Sequence, residues 1–314
     1  MQKIRLNQKG MRRRNLIHSF KTQWEMWLLS IPIIAWVALF CYYPMYGLSM
    51  AFVKYVPGME IWECEWVGLK YFEQFLTNRV FVRLLRNTLV MSTLGITVGF
   101  VAPIIFAFSL NEVGNLRAKK FIQTASYLPH FISWVVAGAM FKSLLNSDGI
   151  VSDMLVRLGV FDKATNLLNN GEWYWAIYTL LNIWKGLGWM AIIYLSAMSG
   201  VDEELYQAGA IDGLGRWGMA RHITLPSIMP TVVILWIIGI GGILNAGFDQ
   251  HLIIGNPLTQ KYWDVLDTYT YRYGVQEGFY SMATSVTLMK SVVGFALVLI
   301  TNTISRRVSD IALF

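Results

Sequence analysis

The amino-acid sequence predicts an all-α, polytopic membrane protein with six transmembrane helices. Of its 314 residues, 55% are hydrophobic and only 14% are charged. A soluble domain carries about 25% charged residues, and the mean hydropathy here is +0.46. The third observation is a series of long uncharged runs. The chain is therefore too apolar for a soluble globular protein.

Six stretches are long enough, or nearly so, to cross a bilayer, which takes about 20 apolar residues in a helix. They cover residues 27–46, 87–110, 121–141, 174–199, 227–248 and 281–304. The first follows the basic stretch MRRRN. We expect it to be retained, because it has full span length and lacks a small-residue cleavage site. Small residues such as Gly95 and Gly99 predict close packing between helices, with a hinge or a substrate path as the alternative.

Lysine and arginine are unevenly divided between two sets of connecting segments. The N-terminus, the loops around 117–120 and 201–226, and the C-terminal tail hold 14 basic and 7 acidic residues. The loops 47–86, 142–173 and 249–280 hold 10 basic and 12 acidic residues. Since cytoplasmic segments keep the basic excess, both termini are predicted to be cytoplasmic, although Arg79, Arg83 and Arg86 oppose the trend. The predicted division is a basic N-terminal segment (1–26), a transmembrane domain (27–305) that includes the cytoplasmic loop 201–226, and a tail (306–314).

Polar groups at membrane depth are costly and mark candidate sites. These candidates are Asn182, Trp184, Lys185, Trp189, Asn245, Asp249, Gln250 and Lys290. Of these candidates, Asn245, Asp249 and Gln250 are predicted to close the fifth span. Tryptophans beside hydrogen-bonding groups suit a sugar, whose C–H faces stack on rings. The two lysines favour an acidic sugar, with snorkelling to an interface as the alternative.

Signatures of catalysis, metal binding and nucleotide binding are missing from the sequence. It has no GxxxxGK[ST], HExxH, CxxC or GxSxG motif, and its four histidines make no ligand spacing. Cys41 and Cys64 suit neither a disulfide framework nor a metal site. The glycines of GLGRWG match a dinucleotide fingerprint, but helix precedes them and the required acid would fall within the fifth span. We expect no metal, no bound cofactor and no nucleic-acid partner.

The loop 201–226 is predicted to form a compact helix–turn–helix. Asp202 caps a helix whose first turn holds Glu203 and Glu204, and glycines at 213 and 215 end it. Residues 216–222 then form a second short helix before Pro226 starts the fifth span. One face is predicted to carry Leu205, Ala208, Gly209 and Asp212. Such a piece either inserts into a cleft of a partner or packs on its own bundle.

This loop resembles the EAA signature of the membrane subunits of binding-protein-dependent ABC importers. Gln207, Ala208 and Gly209 stand at the EAA positions, Gly213 at the signature glycine, and Ile223, Leu225 and Pro226 at its end. The stretches CYYPMYG, YLPHFISWVV and DTYTYRYG are similar to MalF-type carbohydrate permeases, especially the LplB-like subgroup. The signature Glu is replaced by Gln207 and its second Ala by Gly209.

The resemblance implies a MetI/MalF-like type I importer fold in a prokaryotic inner or plasma membrane. It implies that the loop is a coupling helix seated in one of two cytoplasmic ATPase subunits, which bind ATP and Mg²⁺, so the chain itself is not an enzyme. A second, MalG-type permease and an extracytoplasmic solute-binding protein would complete the importer. The substrate would be an oligosaccharide, derived from a polysaccharide. The alternatives are an importer of another solute, or a receptor or assembly subunit; an intramembrane enzyme is disfavoured by the scattered histidines.

Overall fold

The computed structural model describes residues 22–309 and 312–313 of the chain. Most of the predicted basic segment 1–26 and part of the predicted tail 306–314 lie outside these residues. The described residues are mostly helical, with loops between the helices and one two-stranded antiparallel pair. Contacts divide the chain into two compact units, Met1–Gly68 and Leu69–Phe314. The predicted all-α, polytopic fold is confirmed.

The first unit consists mainly of one long helical stretch. Helix α1 (Trp24–Val37) continues through a π turn (Ala38–Tyr42) and a 3₁₀ segment (Tyr43–Phe52). Together they form an apolar stretch of 29 residues, long enough to span a bilayer. Strand β1 (Val53–Lys54) follows and pairs with β2 (Glu65–Trp66), and the ring of Phe52 stacks on Trp66 at 5.6 Å. The predicted first span is therefore present as a helix.

The second unit begins with a short helix, α2 (Lys70–Leu76), and then the second span. This span runs through α3 (Phe81–Leu94), a π turn (Gly95–Gly99) and α4 (Phe100–Asn111). Pro103 has no N–H to bond to the carbonyl of Gly99, and a π turn absorbs such an irregularity in the hydrogen-bond ladder. The span starts earlier than predicted, and its first turns carry Arg83 and Arg86.

The third span is broken, so the continuous helix predicted over 121–141 is wrong. Helix α5 (Leu116–Tyr127) and a 3₁₀ turn (Leu128–Phe131) are followed by α6 (Trp134–Leu145) and α7 (Ile150–Arg157). The two parts meet at an angle of 101°. Pro129 lies at the start of the 3₁₀ turn that ends the first part. The Ser133 hydroxyl caps the second part by accepting from the Val136 N–H at 3.3 Å. Counted as one broken span, this pair brings the described spans to six.

The loop 201–226 connects the fourth span to the fifth. Helix α8 (Gly171–Ser199) is the fourth span, and α9 (Glu203–Ile211) lies in the loop. Helix α10 (Arg216–Met219), a π turn (Ala220–Thr224) and α11 (Leu225–Gly241) form one continuous helix. The separate helix predicted at 216–222 is therefore wrong, because the π turn accommodates Pro226 without ending the helix.

The fifth span ends at Gly241, not at Phe248 as predicted, because glycines at 239, 241 and 242 weaken its last turn. Asn245 therefore lies in the turn that follows, and Asp249 and Gln250 open another helix. Short helices α12 (Asp249–Ile254), α13 (Gln260–Trp263) and α14 (Leu266–Tyr271) precede the sixth span, α15 (Tyr280–Ser309). Helices α11 and α15 approach closely, since a Cβ on Gly294 would lie 2.6 Å from the Gly241 carbonyl oxygen.

Candidate functional site

The loop helix α9 is fixed at both of its ends. The Asp202 carboxylate accepts from the Glu204 N–H at 3.0 Å, as predicted for an N-cap. At the other end, Gly213 adopts φ +80°. The Leu214 N–H donates to the Gly209 carbonyl at 2.9 Å, and the Gly213 N–H donates to the Ala210 carbonyl at 3.2 Å. This pair of bonds is a Schellman motif, which requires the glycine at 213.

One side of α9 packs on the start of the fifth span. A Cβ on Gly209 would lie 2.7 Å from Ile223 Cδ1 and 3.3 Å from Leu214 Cδ1. The hydroxyls of Tyr206 and Thr224 hydrogen-bond at 2.8 Å. Gly209 is therefore buried inside the loop, whereas Leu205, Ala208 and Asp212, which were predicted to lie on the same face, are exposed. Because Gly209 has no side chain, α9 can approach the start of the fifth span this closely.

The other side of α9 is exposed together with the turn that follows it. Exposed residues of this surface, named here the coupling face, are Glu203, Glu204, Leu205, Gln207, Ala208, Ile211, Asp212 and Trp217. Ile211 is 87% exposed and Trp217 is 80% exposed. Ile223 and Leu225 are half-buried, and Pro226 is exposed at the start of α11. Sequence reasoning missed Ile211 and Trp217, although large apolar residues in a polar segment were visible in the sequence.

A cavity of about 310 Å³ lies between the second, fourth and fifth spans. Its polar lining groups come from Ser92, Tyr178, Thr179, Asn182 and Asn245. None of its lining residues is charged. A second cavity, of about 410 Å³, lies between the fifth and sixth spans and is lined by Asn245 and Lys290. Of the predicted path residues, Asn182, Asn245 and Lys290 thus line cavities, and Asn245 lines both.

Three other predicted path residues, on α8, face the broken third span instead. Lys185 Nζ donates to the His130 carbonyl at 2.6 Å and to the Pro129 carbonyl at 3.4 Å. Trp189 stacks on His130 with ring centroids 4.5 Å apart, and Trp184 packs edge-on against Phe141 at 5.0 Å. A cation is favourable at the C-terminal end of a helix, where carbonyls lack partners. Lys185 therefore stabilises the break.

The lysine of the sixth span is engaged as well. Lys290 Nζ contacts Asp267 Oδ1 in an ion pair, and the Lys290 side chain is 8% exposed. The charge of each intramembrane lysine is thus directed at a group of the same chain. Asp249 is exposed and Gln250 half-buried on α12, and neither is among the residues that line the first cavity. Lys185 and Lys290 therefore do not support an acidic sugar as the substrate.

A buried histidine holds the segment beside the first cavity. His251 Nε2 lies 3.1 Å from the Ala246 carbonyl, and Nδ1 lies 2.9 Å from the Tyr174 hydroxyl. The Tyr178 ring stacks on the imidazole at 4.3 Å, and its hydroxyl donates to the same carbonyl. Burial lowers the pKa of His251 to about 4. The imidazole is therefore neutral, with Nε2–H as donor and Nδ1 as acceptor.

Comparisons with known proteins give consistent matches over most of the chain. Residues 80–310 match the family described as binding-protein-dependent transport system inner membrane component. The chain is 39% identical to the protein LplB of Bacillus subtilis, over 92% of this chain and 91% of that protein. It is 38% identical to the polygalacturonan/rhamnogalacturonan transport system permease protein YteP of the same organism, over 95% of this chain and 93% of YteP.

A solved structure also matches nearly the whole chain. A chain of the bacterial alginate ABC transporter, crystallised in complex with an alginate pentasaccharide-bound periplasmic protein, superposes with a TM-score of 0.86. The two chains are 36% identical, and the match covers 94% of this chain and 99% of that one. The similarity therefore extends to sequence and fold together.

Proposed function

Because the chain belongs to the family of binding-protein-dependent transport system inner membrane components, and is thus a multi-pass permease subunit of an ABC importer, we propose that it forms a translocation path for an oligosaccharide together with a second, MalG-type permease. An extracytoplasmic binding protein delivers the substrate. Two cytoplasmic ATPase subunits drive transport and bind the ATP and Mg²⁺. The chain itself carries out no hydrolysis.

The observation that carries this proposal is the continuity between the coupling face and the cavity. The loop joins α8 to the helix that ends as α11, and both of these helices line the first cavity. Asn182 and Gly186 contribute from α8, and Gly239 contributes from α11. The Schellman turn and the Gly209 packing make the loop rigid. A displacement of α9 is therefore passed to two cavity walls.

The mechanism follows from this connection. We propose that the apolar groups of the coupling face, Ile211 and Trp217, insert into a cleft of an ATPase subunit. Closure of the ATPase pair on ATP moves the loop, and the loop moves α8 and α11 as rigid bodies between two packed arrangements. The cavity then opens alternately to the two sides of the membrane. With this assignment the loop faces the cytoplasm, as do both termini.

The cavity favours a sugar because its polar groups are amides and hydroxyls. These groups donate to and accept from sugar hydroxyls, and the aromatic ring of Tyr178 adjoins them. The relative YteP is named for polygalacturonan and rhamnogalacturonan, and the structural neighbour for alginate. We extend to this chain the class that those names share, an oligosaccharide derived from a polysaccharide. The path residues proposed on this basis are Asn182 and Asn245.

A reconstituted importer tests the proposal. The chain, its partner permease, both ATPases and the binding protein are placed in proteoliposomes, and ATPase activity is measured with a panel of oligosaccharides. Ile211→Ser should abolish stimulation, because it removes an apolar group that the ATPase cleft would cover. Leu258→Ser is the matched control, since Leu258 is 78% exposed but lies far from the coupling face in the chain.

Three outcomes would contradict the proposal. Full stimulation of the Ile211→Ser complex would remove the coupling face from its role. Stimulation by another class of solute, with none by any oligosaccharide, would support the alternative importer function. Lack of all stimulation in the intact complex would favour a receptor or assembly subunit.

A further inference from the structure

Four cationic side chains lie together at the end of α8 opposite the coupling face. Arg83 and Arg86 come from the first turns of α3, Lys261 from α13, and Arg272 from the turn after α14. Arg272 Nη2 lies 2.7 Å and Arg83 Nη2 3.6 Å from the same oxygen, Oδ2 of the buried Asp264. We name these four residues the outer cation group. All four belong to the loops 47–86 and 249–280, in the set of segments that carries more acidic than basic residues.

The outer cation group holds more positive charge than its own carboxylate balances. Asp264 is fully buried, accepts from both Arg272 and Thr268, and contacts Arg83. Arg86 and Lys261 are exposed and form no ion pair among the described residues. Like charges held close together repel one another, and a bound anion relieves that repulsion. The arrangement therefore favours an anionic ligand.

Aromatic rings accompany the two exposed cations. The Arg86 guanidinium lies 5.5 Å from the centroid of the Trp175 ring, and Lys261 Nζ lies 5.9 Å from the centroid of the Tyr262 ring. The two rings pack edge-on at 6.0 Å, and the Trp175 indole N–H donates to the Tyr262 carbonyl at 2.9 Å. Arg86 Nη2 also donates to the Lys261 carbonyl at 3.4 Å. Arg86 is thus held in place, and the Lys261 ammonium lies near an aromatic ring.

The outer cation group lies beside Trp175, which is on the face of α8 that lines the first cavity. Trp175, Thr179 and Asn182 follow one another at intervals of four and three residues, so they share one face of the helix. Thr179 and Asn182 line the first cavity, and the Thr179 hydroxyl donates to the Trp175 carbonyl at 2.7 Å. One helical turn rises about 5.4 Å. A ligand at Arg86 would therefore lie about one turn beyond the cavity.

We propose that the outer cation group binds the carboxylates of an acidic oligosaccharide as it enters the path, with Arg86 and Lys261 as the contacting residues. Arg83 and Arg272 hold Asp264 and contribute positive potential. This inference rests on the proposed function and specifies its substrate class as uronate-containing sugars. A sugar fits better than an acidic protein surface, because the group adjoins the face of α8 that lines the first cavity.

Direct binding tests the proposal without requiring transport. The importer is placed in nanodiscs without its binding protein and titrated with a galacturonic acid trimer, or with the methyl ester of the same trimer, which has no charge. We expect the acid to bind about tenfold more tightly than the ester, as one charge-assisted hydrogen bond provides. The preference should fall at high salt, because exposed charges are screened.

Variants then locate the site. Arg86→Gln should weaken binding of the acid about tenfold and leave binding of the ester unchanged, whereas Arg86→Lys should keep most of the preference. Lys163→Gln removes the same charge from an exposed residue outside the group and should change neither affinity. Thermal unfolding of each variant in the nanodisc shows whether it is folded.

Other results would overturn the inference. An unchanged acid preference in folded Arg86→Gln would remove the carboxylate role. If the preference persists and only stimulation by the binding protein falls, the group is a docking surface for that protein. Binding of neither trimer to the wild-type importer would contradict the substrate class and, with no neutral oligosaccharide binding, the proposed function itself.

Discussion

Replacing Gly188 by alanine should separate the fourth span from the broken third span. A Cβ on Gly188 would lie 2.3 Å from the Ser126 carbonyl carbon, 2.4 Å from its oxygen and 2.5 Å from the Tyr127 nitrogen. All three are backbone atoms of α5 and cannot rotate away. Ordinary van der Waals contact begins near 3.4 Å. The two helices must therefore move apart by about 1 Å, which a close-packed interior resists.

Two costs and one gain determine the net change in the free energy of unfolding. Overpacking of this kind costs about 1–3 kcal/mol. The separation also strains the contact of Lys185 Nζ with the His130 carbonyl, at 2.6 Å, and a hydrogen bond to a charged group is worth about 1.5–3 kcal/mol. Alanine recovers about 1 kcal/mol of helix propensity. The net destabilisation is roughly 1.5–5 kcal/mol.

Gly186→Ala provides the matched control. Gly186 lies on the same helix two residues earlier, and no heavy atom lies within 4 Å of its added Cβ. The assay is the apparent midpoint of thermal unfolding of the purified chain in detergent. Gly188→Ala should lower the midpoint by about 3 °C or more, while Gly186→Ala leaves it unchanged or raises it slightly. Equal midpoints for the two variants would refute the reasoning.

Three further predictions concern the coupling turn, a buried histidine and a buried ion pair. Gly213→Val places a branched side chain at φ +80°, which costs roughly 1–3 kcal/mol. It should lower the ratio of uptake to ATP hydrolysis in proteoliposomes, whereas Gln207→Glu should be tolerated. Normal substrate-stimulated ATPase activity in Gly213→Val would count against a coupling role. Since the pKa of His251 is about 4 in the fold and about 6.5 when unfolded, the unfolded chain takes up the proton first as pH falls. Its contribution to the free energy of unfolding is complete above pH 6.5 and should fall by roughly 3 kcal/mol by pH 4, with a smaller loss in His251→Gln, as thermal midpoints across this pH range would show. Lys290→Met leaves Asp267 without its cation and should cost roughly 3–5 kcal/mol, most of which the double variant with Asp267→Asn recovers; an equally unstable double variant would argue against the pair.

The six spans could be predicted because each is a long apolar run, which is a local feature of the sequence. The break in the third span could not be predicted to the same degree. Pro129 marks an irregular position, but a proline within a run is compatible with a kink as well as with a 101° bend. The bend depends on Lys185 and Gly188, which lie more than 50 positions away in the chain.

The candidate site shows the same division between local and distant information. Asp202 and Gly213 were predictable, because a helix cap and a helix end are local features. Polarity at membrane depth marked Asn182 and Asn245 as candidates for the substrate path. Both line cavities in the structure, and their place in the path stays a prediction. Polarity alone could not predict that Lys290 forms an ion pair with Asp267. A charge in a span is equally compatible with a ligand and with a partner, and only the tertiary structure distinguishes them.

The two departures from the EAA signature have different physical consequences. Gly209 is buried, and the space that it leaves is taken by Ile223 Cδ1. The lost methyl group therefore tightens the attachment of α9 to the fifth span. Gln207 is exposed on the coupling face, where it offers a partner hydrogen bonds without an ionic charge. Most of the apolar area there comes instead from Ile211 and Trp217.

A partner held mainly by apolar area loses little of its binding free energy at high salt, because screening acts on charges and not on buried apolar surface. The outer cation group has the opposite dependence, since its proposed ligand is held by charge. The two ends of α8 are therefore expected to respond differently to ionic strength. Raising the salt should weaken substrate capture at Arg86 while docking of the ATPase at Ile211 persists. If both proposals hold, the same 29-residue helix joins a salt-sensitive end to a salt-resistant one, with the uncharged first cavity between them.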